Sequence, residues 1–157
     1  MTSFLSKINF FQDFTFLIAV IILTLAVAFL VGRHRLLSLF FGIYISLALL
    51  GAISIKYIQD SFFQAIFFLA VVCVITIFGR KIIGLYVSKS DLMWRIIVLS
   101  FLEVMAVLSI MASILPKKTV LDYVSKNAYN YLISPDFYIL WLVLPLIFVY
   151  FIRKKLS

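Results

Sequence analysis

One acidic residue, Glu103, lies in the middle of a long apolar segment and is the first candidate for chemistry. A carboxylate at the centre of a bilayer costs about 2.5 to 3.5 kcal/mol, and acids in such positions mark proton or cation pathways or pair with other groups. Ser100 and Ala106 occupy the neighbouring helical turns, so we expect the acid to face other helices across a narrow strip. Proton or cation handling and a hydrogen-bonded packing contact both remain open for Glu103 and Ser100.

The other residues with reactive side chains do not form a catalytic or metal-binding pattern. His34 is the sole histidine and lies between Arg33 and Arg35, without a second imidazole or thiolate to complete a metal site. Cys73 is the only cysteine, so neither a disulfide framework nor a CxxC motif is present. Since the sequence also lacks nucleophile-elbow, metalloprotease and phosphate-loop motifs, it predicts a protein that is not an enzyme and uses no metal or cofactor.

The amino-acid composition indicates that Glu103 lies in a membrane protein and not in a soluble domain. Hydrophobic residues make up 66% of the 157 residues and charged residues 13%, whereas soluble domains have about 45 to 50% apolar and about 25% charged residues. The net charge of +8 comes from short basic clusters between apolar runs, which is typical of membrane topology signals and not of a nucleic-acid-binding surface. We expect a single integral membrane domain over residues 1–157.

The apolar runs predict an all-α membrane protein with a bundle of five transmembrane helices. Each run is close to the length that crosses about 30 Å of hydrocarbon, and none shows the alternation of a membrane β-barrel. Pro145 predicts a kink in the last helix, because it removes a backbone donor. The predicted spans cover residues 14–31, 36–55, 62–78, 96–115 and 137–152.

A short amphipathic segment precedes the fifth span. On a helical wheel of residues 120–133, the apolar side chains share one face and the polar side chains share the other. The pattern predicts a short interfacial helix that lies on the outer membrane surface. Its apolar face consists of Val120, Leu121, Val124, Ala128, Tyr131 and Leu132, and its polar face of Asp122, Lys126, Asn127 and Asn130.

Small residues in the second span predict close helix packing. Gly42 and Ser46 are four residues apart, as are Ala48 and Ala52. Such pairs let two helix backbones approach each other in a membrane, within the chain or between chains.

The basic residues predict the orientation of the chain. Successive segments between spans alternate sides, and Lys and Arg number nine on one set of segments and five on the other. The positive-inside rule therefore places the N-terminus outside and the C-terminus in the cytoplasm. The basic residues that we interpret as topology signals, with possible contacts to anionic lipid, are Arg33, Arg35, Arg80, Lys81, Arg153, Lys154 and Lys155.

Three segments resemble the bacterial colicin V production protein family of small inner-membrane proteins. The first is the basic turn that leads into Leu36-Leu37-Ser38-Leu39-Phe40-Phe41-Gly42 and a span rich in small residues. The others are Ser90-Asp91-Leu92, similar to an aspartate that opens the family's fourth span, and the serine-containing segment from Ser125 to Leu132. This chain departs from the family in a fourth helix that is not rich in glycine and in a fifth span.

The resemblance implies an inner-membrane protein connected with peptide-toxin export and envelope homeostasis. We accordingly expect a non-enzymatic accessory or assembly protein of the inner (plasma) membrane, whose partners are the lipid bilayer and other membrane proteins or a second copy of itself. The alternative is a small oligomeric channel or transporter subunit with Glu103 lining the pathway.

Overall fold

The described residues of the protein form α-helices and no strands. A computed structural model describes residues 2–31, 35–53, 60–79 and 92–154, with side chains for residues 13–31, 35–53, 60–79 and 93–151. The helices in these ranges are α1 (Thr2–Leu30), α2 (Leu36–Ile53), α3 (Ser61–Phe78), α4 (Leu92–Ile114), α5 (Lys117–Tyr123), α6 (Lys126–Ile133) and α7 (Pro135–Lys154). The all-helical class predicted from the sequence is confirmed for these residues.

Four of the described helices are long and apolar enough to cross a membrane. The qualifying segments are Asp13–Leu30, Leu36–Ile53, Ser61–Phe78 and Met93–Ile114, each of 18 residues or more. They overlap the first four predicted spans, and residues 54 and 55 of the second predicted span lie outside the described residues. A fifth is reached only if α6 and α7, which are bent by 61° at their junction, are counted as one span. The count of five membrane spans stays a prediction.

Local sequence explains where the helices begin and end. The helix α1 continues without a break from Thr2 into the predicted first span, because neither glycine nor proline interrupts it. Asp60 caps α3, and its carboxylate accepts a hydrogen bond from the backbone N–H of Phe62 at 3.1 Å. Pro145 lies inside α7 without ending the helix.

The single interfacial helix predicted for residues 120–133 is wrong, because two shorter helices occupy this range. Val124 and Ser125 have extended backbone angles between α5 and α6. The Ser125 hydroxyl caps α6 by accepting a hydrogen bond from the backbone N–H of Ala128 at 3.1 Å, and this local bond competes with helix continuation. Ala128 and Leu132 are buried against the rest of the protein, while the polar residues Asp122, Lys126, Asn127 and Asn130 are exposed.

The helix α4 lies at the centre of the packed helices. It packs against α1, α2, α3, α6 and α7, whereas α2 and α3 form the most extensive helix–helix contact among the described residues. Two apolar clusters surround α4. One joins it to α1 and α5–α6 through Val20, Val104, Met105, Ala112, Val120 and Leu132; the other joins it to α2 and α3 through Ile43, Phe68, Val72 and Ile110.

Candidate functional site

Glu103 lies in the most enclosed part of the central helix. Five consecutive residues of α4, from Leu102 to Ala106, are buried, so neighbouring helices cover this turn on every side. Glu103 is 1% exposed and Ser100, one turn earlier on the same face, is 0% exposed. The prediction that the acid faces other helices is confirmed.

The polar atoms of this pair have no hydrogen-bond partner among the described residues. Both carboxyl oxygens of Glu103 and the hydroxyl of Ser100 are buried and unpaired there, as is the hydroxyl of Thr24 on α1. Leaving a buried polar group unpaired costs about 1 to 3 kcal/mol by protein mutational data. These side chains are therefore candidates for a role other than helix packing.

An aromatic side chain and a backbone carbonyl complete the polar region. Tyr44 of α2 is near enough to Glu103 for their groups to interact electrostatically. Its hydroxyl donates a hydrogen bond to the backbone carbonyl of Leu142 in α7 at 2.5 Å. Pro145 is fully buried in the next turn and supplies no N–H to the carbonyl of Trp141. Three helices thus contribute polar groups to the buried region around Glu103.

This arrangement can bind a proton or a small cation, or it can act as a structural contact. The carboxyl and hydroxyl oxygens of Glu103 and Ser100 are acceptors, as is the oxygen of Tyr44. Sequence analysis identified Glu103 and Ser100 but missed Tyr44, because a tyrosine in an apolar run looks like a packing residue. Among the described residues, no three His, Cys, Asp or Glu side chains are grouped so as to hold a metal ion.

The small residues of α2 divide between two faces of the helix. A Cβ atom at Gly42 would lie 3.3 Å from the carbonyl oxygen of Val72 in α3. The hydroxyl of Ser46 donates a hydrogen bond to the carbonyl of Phe68 at 2.8 Å. Gly42 and Ser46 therefore allow the close approach of α2 and α3.

Ala48 and Ala52 lie on another face of α2 and are exposed. Both residues share this face with the exposed apolar side chains of Phe41 and Ile45, at helical spacing. Nothing lies within 4 Å of the Cβ position of Gly51 nearby. Among the described residues no helix packs against Ala48 and Ala52, so their predicted packing role stays a prediction for a partner helix.

Most of the basic residues predicted as topology signals fall outside the described part of the chain. Arg33, Arg80, Lys81 and Lys155 lie outside the described residues, and so does His34 between Arg33 and Arg35. Arg35 precedes α2 and is partly buried. Arg153 and Lys154 belong to the last turn of α7, and their side chains are outside the described set.

Sequence analysis missed a polar contact between the first helix and the α5–α6 junction. The hydroxyl of Ser125 donates a hydrogen bond to the carboxylate of Asp13 in α1, in addition to capping α6. The two residues are 112 positions apart in the sequence, so the sequence gives no sign that they form a pair. The available signals were that Ser125 is a residue type that often caps a helix and that Asp13 lies at the edge of an apolar run. The contact fixes α6 beside α1.

A groove of about 760 Å³ lies between α1, α4 and α6, next to this contact. Glu103 is not among the residues that line it. The lining residues are Asp13, Phe16, Leu17, Val20, Phe101, Met105, Asn127, Ala128, Asn130 and Tyr131. The groove and the buried carboxyl are therefore two separate candidate sites.

No family model, no curated protein and no solved structure matches this chain. The resemblance to colicin V production proteins is untested by these comparisons and stays a prediction.

Proposed function

We propose that this chain is a multi-pass inner-membrane protein that acts by associating with other membrane proteins or with itself, as a non-enzymatic accessory or assembly factor. The proposed orientation has the N-terminus outside and the C-terminus in the cytoplasm, with α7 as the fifth span, and it is supported by the distribution of Lys and Arg. The similarity to colicin V production proteins extends the proposal to envelope homeostasis or export.

The exposed face of α2 is the observation that supports association most directly. Gly42 and Ser46 already contact α3, yet the same helix presents Ala48 and Ala52 outward between larger apolar side chains. In lipid, helices associate through close van der Waals packing, and small residues at spacing of four permit that packing. This face can accept a further helix without rearrangement of the α2–α3 pair.

Site-specific photo-crosslinking tests the association proposal. A photoreactive amino acid at Ala48 should give a discrete protein adduct in intact membranes, because a partner helix would lie against this face. The same amino acid at Ile66, an exposed residue of α3, is the matched control and should give mainly lipid adducts. Ala48→Leu should lower the yield of an adduct formed from the neighbouring position 52, since the larger side chain blocks close approach.

Equal, unselective lipid labelling at positions 48 and 66 would contradict the proposal. An adduct of doubled mass would identify self-association, and an adduct with a different protein would identify a partner. Both results support association and distinguish its two forms.

The second candidate function is a channel or transporter subunit with Glu103 in the pathway. It is favoured by the buried carboxyl, which has no hydrogen-bond partner among the described residues, because acids inside membrane spans commonly mark proton or cation pathways. Against it stands the full enclosure of Glu103, which leaves it outside the groove between α1, α4 and α6.

Flux measurements on purified protein in vesicles separate the two candidates. A pathway through Glu103 predicts proton or cation flux that Glu103→Gln abolishes, because the substitution keeps the shape and removes the exchangeable charge. Ser113→Ala, at a more exposed position on the same helix, should leave the flux unchanged. If the wild-type protein produces no flux above that of empty vesicles, the pathway function is excluded under those conditions and association remains.

A further inference from the structure

The groove between α1, α4 and α6 has the size and lining of a ligand site. Its volume of about 760 Å³ falls within the range of about 300 to 1,000 Å³ that is usual for small-molecule sites, which are mostly apolar with a few polar groups. Leu17 is 54% exposed and Tyr131 is 58% exposed, so the groove opens to the surface of the protein.

The lining is polar at one end and apolar at the other. Asp13 begins the 18-residue apolar segment of α1, which ends at Leu30. Val20 lies two helical turns further, about 10 Å deeper at 1.5 Å per residue. Asn127 and Asn130 of α6 line the groove together with Asp13. An occupant would therefore need a polar head at the Asp13 end and an apolar tail toward Val20.

The charged and polar residues at the Asp13 end of the groove determine which kind of polar head an occupant can have there. Among the described residues that line the groove, Asp13 is the only one with a carboxylate, and none is a lysine or arginine. One hydrogen bond from Ser125 uses part of the acceptor capacity of this carboxylate, and its remaining lone pairs can accept further donors. Exposed amides at Asn127 and Asn130 offer both acceptors and donors.

We propose that this groove binds a phospholipid with a primary ammonium head group, of the phosphatidylethanolamine type, with one acyl chain along α1 and α4. The ammonium donates to Asp13, and an asparagine amide donates to the lipid phosphate. A choline head lacks N–H donors, and a glycerol head brings no positive charge to offset the carboxylate. The proposal rests on the membrane location proposed above but not on the association of α2.

Lipid retention by the purified full chain tests this proposal. The protein is exchanged in mild detergent with equal amounts of phosphatidylethanolamine, phosphatidylcholine and phosphatidylglycerol of identical acyl chains, and bound lipid is counted by native mass spectrometry. Wild-type protein should retain phosphatidylethanolamine preferentially. Asp13→Asn should reduce this preference about fivefold, the factor that an exposed ion pair of about 1 kcal/mol gives. The asparagine oxygen can still accept from Ser125, so the fold should persist.

Two controls make the result specific to the groove. Asp122→Asn removes an exposed carboxylate of α5 that does not line the groove, and it should leave the preference unchanged. Leu17→Trp fills the apolar part and should lower retention of all lipids, whereas Ile18→Trp, an exposed neighbour outside the lining, should not.

Equal retention of the three lipids by wild-type protein would overturn the proposal, as would a preference that survives Asp13→Asn. Occupation of the groove by detergent alone, or by a second copy of the chain seen as a dimer that loses affinity on Leu17→Trp, would overturn it too. None of these outcomes affects the crosslinking result at Ala48. Failure of the lipid site and failure of the association function can therefore be distinguished.

Discussion

The α2–α3 interface and the region around Glu103 both contain buried polar side chains, but the hydrogen bonding of these side chains differs. Between α2 and α3, the hydroxyl of Ser46 donates to a carbonyl of the facing helix, and Gly42 lets the two backbones approach. In α4, the hydroxyl of Ser100 and the carboxyl of Glu103 are equally buried but unpaired among the described residues.

The difference shows that burial of a polar side chain does not by itself indicate a structural role. A satisfied interhelical hydrogen bond contributes about 0.6 kcal/mol in membrane proteins, whereas an unpaired buried group costs free energy. The first interface is built for stability. The second region shows no such pairing among the described residues, which is why Glu103 is the residue to test for a function in transport.

The largest expected effect comes from filling the close contact between α2 and α3. Gly42→Leu should lower the free energy of unfolding by about 3 kcal/mol, because a Cβ there already lies 3.3 Å from the Val72 carbonyl oxygen and overpacking typically costs about 1 to 3 kcal/mol. Equilibrium unfolding in mixed micelles with increasing SDS measures the change.

Gly51→Leu is the matched control for this substitution, since nothing lies within 4 Å of the Cβ position at Gly51. It should leave the unfolding midpoint nearly unchanged. Equal destabilisation at both glycines would mean that the α2–α3 contact is no tighter than the free face of α2, and the contrast between the two regions would fail.

A smaller effect distinguishes the paired serine from the unpaired one. Ser46→Ala should destabilise the protein by about 0.6 kcal/mol, because it removes a hydrogen bond to the Phe68 carbonyl. Ser100→Ala removes a hydroxyl without a partner among the described residues, so it should be neutral or slightly stabilising. Unfolding free energies in the same detergent give both values.

A loss at Ser100 as large as that at Ser46 would show that Ser100 is hydrogen bonded in the folded protein. The region around Glu103 would then be a satisfied network, and the structural interpretation of the acid would gain support.

The sequence predicted the long helices because hydrophobicity dominates in segments of 18 residues or more. It also predicted the burial of Glu103, since small neighbours on the same face indicate helix packing. The break at Ser125 escaped prediction, because a helical wheel averages over the segment while a single capping side chain decides the backbone locally. The contacts of Asp13 and Tyr44 join distant parts of the chain. A single sequence does not show which distant residues are in contact.

The packing of α1 has a consequence for the order in which the helices assemble. Val20 lies in an apolar cluster with residues of α4, and α1 packs mainly against α4. The α2–α3 hairpin joins neighbours in sequence, so it can close early, because short loops carry a small closure entropy. During synthesis the contact between α1 and α4 can form only after α4 has been made. The hydrogen bond between Asp13 and Ser125 can form only later, after Ser125 has been added. The native contacts of α1 can therefore form only after the α2–α3 hairpin has been synthesised.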